Sequence, residues 1–295
     1  MFIKRLPAFE YHVPASVSKA LDLIAQYKNN GRFIAGGTDL LVAMKKREIT
    51  PQHLISLNGI AALKGITPDK RGGVKIGALT TLAEIERSDI IQKQFPPLRD
   101  AINVMASAQV RSLATIGGNL CSAVPSADTA PPLIALNASL QLVGPKGERS
   151  MPVEEFFTGP AKTVRTANEI LKAIMIPKPE VFSSGCYLKL MRREAMDLAL
   201  VGVAACLRLD NEKKICTEAR IALGAVAPTP IRVPEVEALL VNKAIDEALI
   251  TEAARVAGMQ CRPISDIRAS LEYRCSMVEV LTRRAVTEAY RRITA

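Results

Sequence analysis

The break at Pro177-Lys178-Pro179 separates two unlike halves of the chain. Two prolines around a lysine resist both a helix and a central strand, so this point predicts a domain boundary. Ahead of it, short apolar runs alternate with helical spacings. Behind it come three apolar strands, near 184–190, 198–209 and 214–226, with Asp210-Asn211-Glu212 as a turn. Past Pro228-Thr229-Pro230 the stretch from Glu235 to Thr294 is helical by periodicity. Strands and then helices is α+β order. A length of 295 residues suits two domains of about 150 each, and the expected division is 1–177 and 178–295.

Composition removes several classes. Hydrophobic residues at 48% and charged residues at 23% exclude a disordered chain. The longest strongly apolar stretch, from Leu198 to Leu207, falls well short of the roughly 20 residues a membrane helix needs. Met1 to Pro7 carries basic residues with no apolar run behind them, which argues against a secretory signal and predicts a cytoplasmic protein. Cys121, Cys186, Cys206, Cys216, Cys261 and Cys275 form no C-x-x-C pair, and the only histidines are His12 and His53. Neither structural zinc nor a cysteine-held iron–sulfur cluster is expected on such a chain; the thiols read as small apolar groups and both histidines as structural. The net charge of +10 is spread along the chain, and with 4% aromatics and no Trp a base-stacking surface is poorly supplied.

In the first half, Val17, Ala20, Leu21 and Ile24 fall at helical spacing, with Ser16 or Ser18 as cap and Gly31 as a left-handed end. Arg32-Phe33-Ile34-Ala35 reads as a strand. Thr38-Asp39 caps a helix carrying Leu40, Leu41 and Met44, and 53–57 is a second strand, so parallel pairing is favoured. A hairpin turns at Arg71-Gly72-Gly73, Thr81-x-x-Glu84 is a capping box, and a helix is expected over 98–108. The segment 114–121 reads as extended, 127–136 as an apolar helix, and 139–143 and 169–176 as strands. The lobes of this domain are expected near 1–57 and 58–177.

Two glycine-bearing turns carry the chemistry. Ala35-Gly36-Gly37-Thr38-Asp39-Leu40-Leu41 lies between a strand and a helix, where successive backbone N–H groups can converge on an anion such as phosphate. It has neither the G-x-G-x-x-G spacing nor a following Gly-Lys-Ser/Thr, and a plain tight turn is an equal reading. The second turn is Thr115-Ile116-Gly117-Gly118-Asn119, followed by Ser122, Ser126 and Asp128. Its hydroxyls and amides suit a second phosphate. Asp128 would repel a phosphate, so it either accepts from sugar hydroxyls or caps the helix beginning at Thr129.

Taken together, the turn Phe33 to Leu41 and the run Ala114-Thr115-Ile116-Gly117-Gly118-Asn119-Leu120-Cys121, continued by Ser126-Ala127-Asp128-Thr129-Ala130-Pro131-Pro132-Leu133, resemble the FAD-binding medium subunit of the molybdenum hydroxylases, the xanthine and carbon monoxide dehydrogenase group. The resemblance spans almost the whole chain. It implies a two-lobed FAD-binding domain of the vanillyl-alcohol-oxidase (PCMH) type, then a three-stranded antiparallel sheet on a helical bundle. It further implies that Ala35 to Leu41 and Thr115 to Asn119 hold the FAD pyrophosphate, and that Asp128, Leu171 and Lys189 are further contacts. Lys189 ends the aromatic-x-Lys segment Tyr187-Leu188-Lys189, and Met191-Arg192-Arg193-Glu194 would lie near the isoalloxazine. By the residues alone, Lys189 and Arg192-Arg193 read equally as solvated, Arg291-Arg292 as a helix-dipole partner, and Arg274 as ion-paired beside a packed Tyr273. No cluster-binding cysteines are present, which makes the 4-hydroxybenzoyl-CoA reductase branch a poor fit.

The function implied is an electron-transfer subunit. FAD on this chain takes electrons from a [2Fe–2S] small subunit and delivers them to NAD⁺, a quinone or another acceptor, while a molybdopterin large subunit oxidises the substrate. The implied assembly is a dimer of heterotrimers, without nucleic acid. The rivals are a standalone FAD oxidase of the same fold, a basic nucleic-acid binder and an NAD site in the second domain.

Overall fold

The computed structural model describes residues 5–295; Met1 to Lys4 of the expected non-secretory start lie outside it. The first sheet is wholly parallel, in the order Glu10–His12, His53–Ser56, Gly31–Ile34. The helix Val17–Tyr27 buries Ala20 and Ile24 and is capped by Ser16, whose hydroxyl accepts from the Lys19 N–H. Its left-handed end is Lys28 (φ 48°), not Gly31, which is already the first strand residue. Gly31 is needed for a different reason: a Cβ there would lie 3.0 Å from Ile24 Cδ1 and 3.2 Å from Tyr27 Cβ.

The second sheet has five antiparallel strands in the order Ile66–Pro68, Val74–Gly77, Ile170–Ile176, Ser139–Gly144, Gly147–Pro152. The hairpin turn carries Gly72 at φ 83°, and the Thr81–Glu84 capping box forms at the head of Leu82–Glu86. The helix expected over 98–108 is two, Pro96–Asn103 and Ala108–Arg111, parted where Ala106 takes φ 53°. The segment expected to be extended, 114–121, is instead the helix Ile116–Ser122. Two adjacent glycines lower helix propensity by about 1 kcal/mol each, which masks it in sequence. Tertiary hydrogen bonds restore it: Ile116 N–H donates to Thr80 O at 3.1 Å and Gly117 N–H to Ala78 O at 2.9 Å.

The third sheet is antiparallel: Ser183–Leu190, Val201–Leu209 and Cys216–Gly224, extended at one edge by the two-residue strand Ile231–Arg232. Both faces are buried, which explains the unbroken apolar run from Val201 to Leu207. Val201, Val203, Ala205 and Leu207 pack on the helices Pro234–Leu240, Glu247–Gln260 and Leu271–Thr294. Ala204, Ala222 and Tyr187 face the other way, into the core of the second lobe. The stretch read as helical over 235–294 is three helices, with irregular chain across 241–246 and 261–270.

Small residues let this sheet approach the second lobe. Gly202 and Gly224 are cross-strand partners. A Cβ on Gly224 would lie 2.7 Å from Pro131 Cγ, and one on Gly202 would lie 2.6 Å from Tyr187 Oη. Gly202→Ala is therefore expected to displace the Tyr187 ring and to cost about 1–3 kcal/mol by overpacking, read as a lower midpoint in urea unfolding. Arg292, read from sequence as a helix-dipole partner, instead ties the terminal helix to the rest: it donates to Asp100 Oδ2 and to Gly185 O, both at 2.7 Å. Arg274 is buried and ion-paired with Asp266 at 3.0 Å, while Tyr273 beside it is exposed rather than packed. No helix of the described residues is long and apolar enough to cross a membrane.

Candidate functional site

The first glycine turn leaves the strand Gly31–Ile34 and enters the helix Leu40–Lys46. Gly37 takes φ 71°, a conformation open to glycine. Asp39 occupies the N-cap position, but its side chain caps nothing. Among the described residues, no acceptor takes the N–H of Gly36, Gly37, Thr38 or Asp39. Ala35 lends its carbonyl to Asn58 Nδ2 at 3.2 Å, and Leu40 and Leu41 pack beside Ile34, Met44 and Leu54. Four consecutive open donors are unusual, because the great majority of backbone amides in a fold find partners.

This turn lies directly against the second one. A Cβ on Gly36 would fall 1.9 Å from Leu113 O, so the two segments touch backbone to backbone. Ser122, expected to face a phosphate, instead donates to Asp39 Oδ2 at 2.6 Å and closes the seam.

The second turn differs from expectation in its amides. Thr115 caps the helix, its Oγ1 accepting from Gly118 N–H at 3.1 Å. The N–H groups of Ile116 and Gly117 are taken by the carbonyls of Thr80 and Ala78, and that of Asn119 by Thr115 O. None of these donors is open to a ligand. Gly117 serves contact: a Cβ there would lie 2.6 Å from both Ala78 Cβ and Ala78 O. Asn119 Oδ1 accepts from Thr129 Oγ1 at 2.6 Å, which leaves its amide nitrogen free to donate. Leu171 is buried in the second-lobe core at a register shift between Leu171 and Ala173. The shift turns Lys172 O toward the Ala78 N–H, 3.1 Å away. A chain of hydrogen bonds thus runs from the strand irregularity through Ala78 to Gly117.

Asp128 and Lys189 are brought together and buried. Asp128 does not cap the helix Ala130–Ala135. Its Oδ2 accepts from Lys189 Nζ and its Oδ1 from Tyr187 Oη, both at 2.8 Å. The side chains are 1% (Lys189) and 7% (Asp128) exposed, so the solvated reading of Lys189 does not hold. Lys189 also donates to Asp197 O at 3.0 Å and Val104 O at 3.4 Å, which uses its three N–H groups. Burial pushes the Asp128 carboxyl above its ordinary range, opposed by the Lys189 ammonium and the Tyr187 hydroxyl. The Tyr187 phenol rises well above its own ordinary value, chiefly through burial and then through the Asp128 charge.

Tyr187 was named only as the aromatic of the motif, not as a partner of Asp128, and Asp197 was not singled out at all. The first was legible, since residues two apart on a strand share a face. Asp197 was not: it organises the exposed turn after Lys189, accepting from the N–H groups of Arg192 (2.8 Å), Arg193 (3.1 Å) and Leu198 (3.1 Å). The buried cysteines behave as packed thiols; burial holds Cys186 and Cys206 up to about 12 and raises Cys121. A cleft of about 840 Å³ involves neither glycine turn; it lies between the second lobe and the third sheet and is lined by Arg99, Lys178, Arg208 and Arg292 among others.

Comparison with known proteins agrees with this architecture. The family described as the FAD binding domain in molybdopterin dehydrogenase matches residues 7–179, and the CO dehydrogenase flavoprotein C-terminal domain matches 186–289. The chain is 35% identical to the carbon monoxide dehydrogenase medium chain of Hydrogenophaga pseudoflava, over 97% of this chain and 98% of that one. It is 33% identical to the xanthine dehydrogenase FAD-binding subunit of Escherichia coli O157:H7, over 95% of each. A solved carbon monoxide dehydrogenase from H. pseudoflava, lacking the Mo-pyranopterin moiety, superposes with a TM-score of 0.94 at 35% identity, covering 98% of this chain and 99% of that one. Quinoline 2-oxidoreductase from Pseudomonas putida 86 gives 0.92 at 30% identity, covering 99% and 100%.

Fold and comparisons together define an oxidoreductase flavoprotein. Within that class, the chain belongs to the family of FAD-binding medium subunits of the molybdopterin dehydrogenases, the group of the carbon monoxide and xanthine dehydrogenases.

Proposed function

We propose that this chain carries FAD as the electron-transfer subunit of a molybdenum hydroxylase, with the diphosphate seated on the N–H groups of Gly36, Gly37, Thr38 and Asp39. The observation that supports this most is the run of four open amides, in a turn whose Gly36 lies against Leu113. The residues fit the cofactor: neutral donors suit the anion, and the missing Cβ of Gly36 lets the turn lie against Leu113 O. Ala35, Leu40 and Leu41 frame the turn. Thr115, Ile116, Gly117 and Gly118 shape its opposite wall rather than donate to it, and Asn119 offers its carboxamide. Leu171 backs that wall. Asp128 and Lys189 hold the wall to the third sheet, so they position the cofactor cleft more than they touch the cofactor.

Bound FAD would supply exchange between one-electron and two-electron carriers. The chain's own work is to bind it, shield it and leave one edge open beside the turn at Arg192 and Arg193. In this reading the domains are 1–177 and 178–295, a [2Fe–2S] small subunit delivers electrons, a molybdopterin large subunit oxidises substrate, and NAD⁺ or a quinone receives the pair. The complex is a cytoplasmic dimer of heterotrimers. Purification from the native source tests the assembly: flavin with stoichiometric molybdenum and iron is expected, and a colourless single chain would contradict it. The second wall is tested by Gly117→Val, which is expected to abolish flavin retention while the C-terminal domain stays folded; unchanged flavin content would refute the placement. A lone chain that reduced its own flavin with an alcohol or amine would favour the standalone oxidase.

A further inference from the structure

Glu10, His12 and His53 belong to none of the machinery described so far. Glu10–His12 is the edge strand of the parallel sheet, and its register sets Glu10 beside His53. Residues two apart on a strand share a face, so Glu10 and His12 point the same way, and His53 meets them there. His12 Nε2 and His53 Nδ1 are 3.2 Å apart. Glu10 Oε2 is 3.4 Å from His53 Nδ1 and 3.8 Å from His12 Nε2. A circle through three atoms with those separations has a radius of about 2.0 Å, which is the bond length of Zn²⁺ to imidazole nitrogen and carboxylate oxygen.

The surroundings favour a held cation. The Tyr27 ring stacks on His53 at 3.7 Å and on His12 at 4.9 Å between centroids, fixing both imidazole planes. The Glu10 side chain is 71% exposed, so the open side of the triangle faces solvent and can admit a fourth ligand. Two imidazoles sharing a single N–H···N bond would leave the carboxylate beyond good hydrogen-bonding distance of both rings. A dication engages all three groups at once.

We propose that Glu10, His12 and His53 form a three-ligand site for a divalent transition metal of the zinc class, with the fourth position open to water. Such an ion would clip the edge strand onto its neighbour. Composition gave no sign of it, because the ligands come from strands about forty residues apart and neither histidine sits in a metal-binding spacing. The site is independent of the flavin assignment.

The test uses the full chain, stripped with a chelator and then titrated calorimetrically with Zn²⁺ and spectroscopically with Co²⁺. One equivalent of each is expected to bind, the cobalt spectrum showing nitrogen and oxygen ligation without a thiolate charge-transfer band. Glu10→Gln, at an exposed position where folding is unaffected, is expected to weaken binding by about tenfold or more, and His53→Asn to remove it. Absence of Zn²⁺ binding would overturn the proposal. So would binding unchanged in Glu10→Gln, or a thiolate band pointing to the neighbouring thiols of Cys261 and Cys275, whose sulfurs are 3.0 Å apart.

Discussion

Gly36→Ala is expected to strip the chain of flavin while leaving it folded. The added methyl would fall 1.9 Å from Leu113 O, a backbone atom that cannot rotate away. The turn must therefore withdraw from the wall it touches, and the four amides move with it. Overpacking of this kind costs about 1–3 kcal/mol. If that strain falls on the bound state, FAD affinity drops by about 10- to 100-fold at 1.4 kcal/mol per decade. The measurement is flavin content after gel filtration, with unfolding monitored alongside. Gly159→Ala is the control, since a Cβ there meets nothing nearer than 3.8 Å; it is expected to keep its flavin. Full retention in Gly36→Ala would separate this turn from the cofactor.

Lys189→Met is expected to give the largest loss of stability. It leaves Asp128 buried with the Tyr187 hydroxyl as its one remaining side-chain donor. Breaking one side of a buried ion pair costs about 3–5 kcal/mol. The direction with pH follows from linkage. Without the ammonium, the Asp128 carboxyl in the folded state rises further above its unfolded value, so the folded chain binds the extra proton. A group of this sign loses its stabilising contribution as pH rises. The deficit of Lys189→Met is therefore largest at neutral pH and narrows as pH falls toward the ordinary carboxylate range. Adding Asp128→Asn is expected to recover much of the stability, because a neutral amide needs no counter-charge. A variant as stable as the parent at neutral pH, with an altered flavin spectrum, would instead mark Lys189 as a cofactor contact and not a lock.

Much of the fold was legible because local chemistry and tertiary structure agree. The capping box at Thr81 and the apolar run from Val201 each mean the same thing in isolation as in the folded chain. The helix Ile116–Ser122 was not legible, because its stability comes from the carbonyls of Ala78 and Thr80, distant in sequence. That difference reaches the site. The sequence pattern Thr-Ile-Gly-Gly-Asn reads as a second donor loop, whereas the fold uses those amides internally and retains the glycines for close contact. Asp128 and Lys189 were each legible as candidates by resemblance. Their pairing was not, since it depends on how the helix Ala130–Ala135 meets the strand Ser183–Leu190. The histidines show the same limit, since Glu10 and His12 meet His53 only through strand register.

Amide hydrogen exchange with and without FAD addresses the central assignment most directly. The N–H groups of residues 36–39 have no acceptor among the described residues, so they are expected to exchange fast in the apo chain and to become strongly protected when FAD is added. Those of 116–119, already bonded to the fold, are expected to be slow in both states and to change little. Protection appearing at 116–119 while 36–39 stayed fast would contradict the assignment.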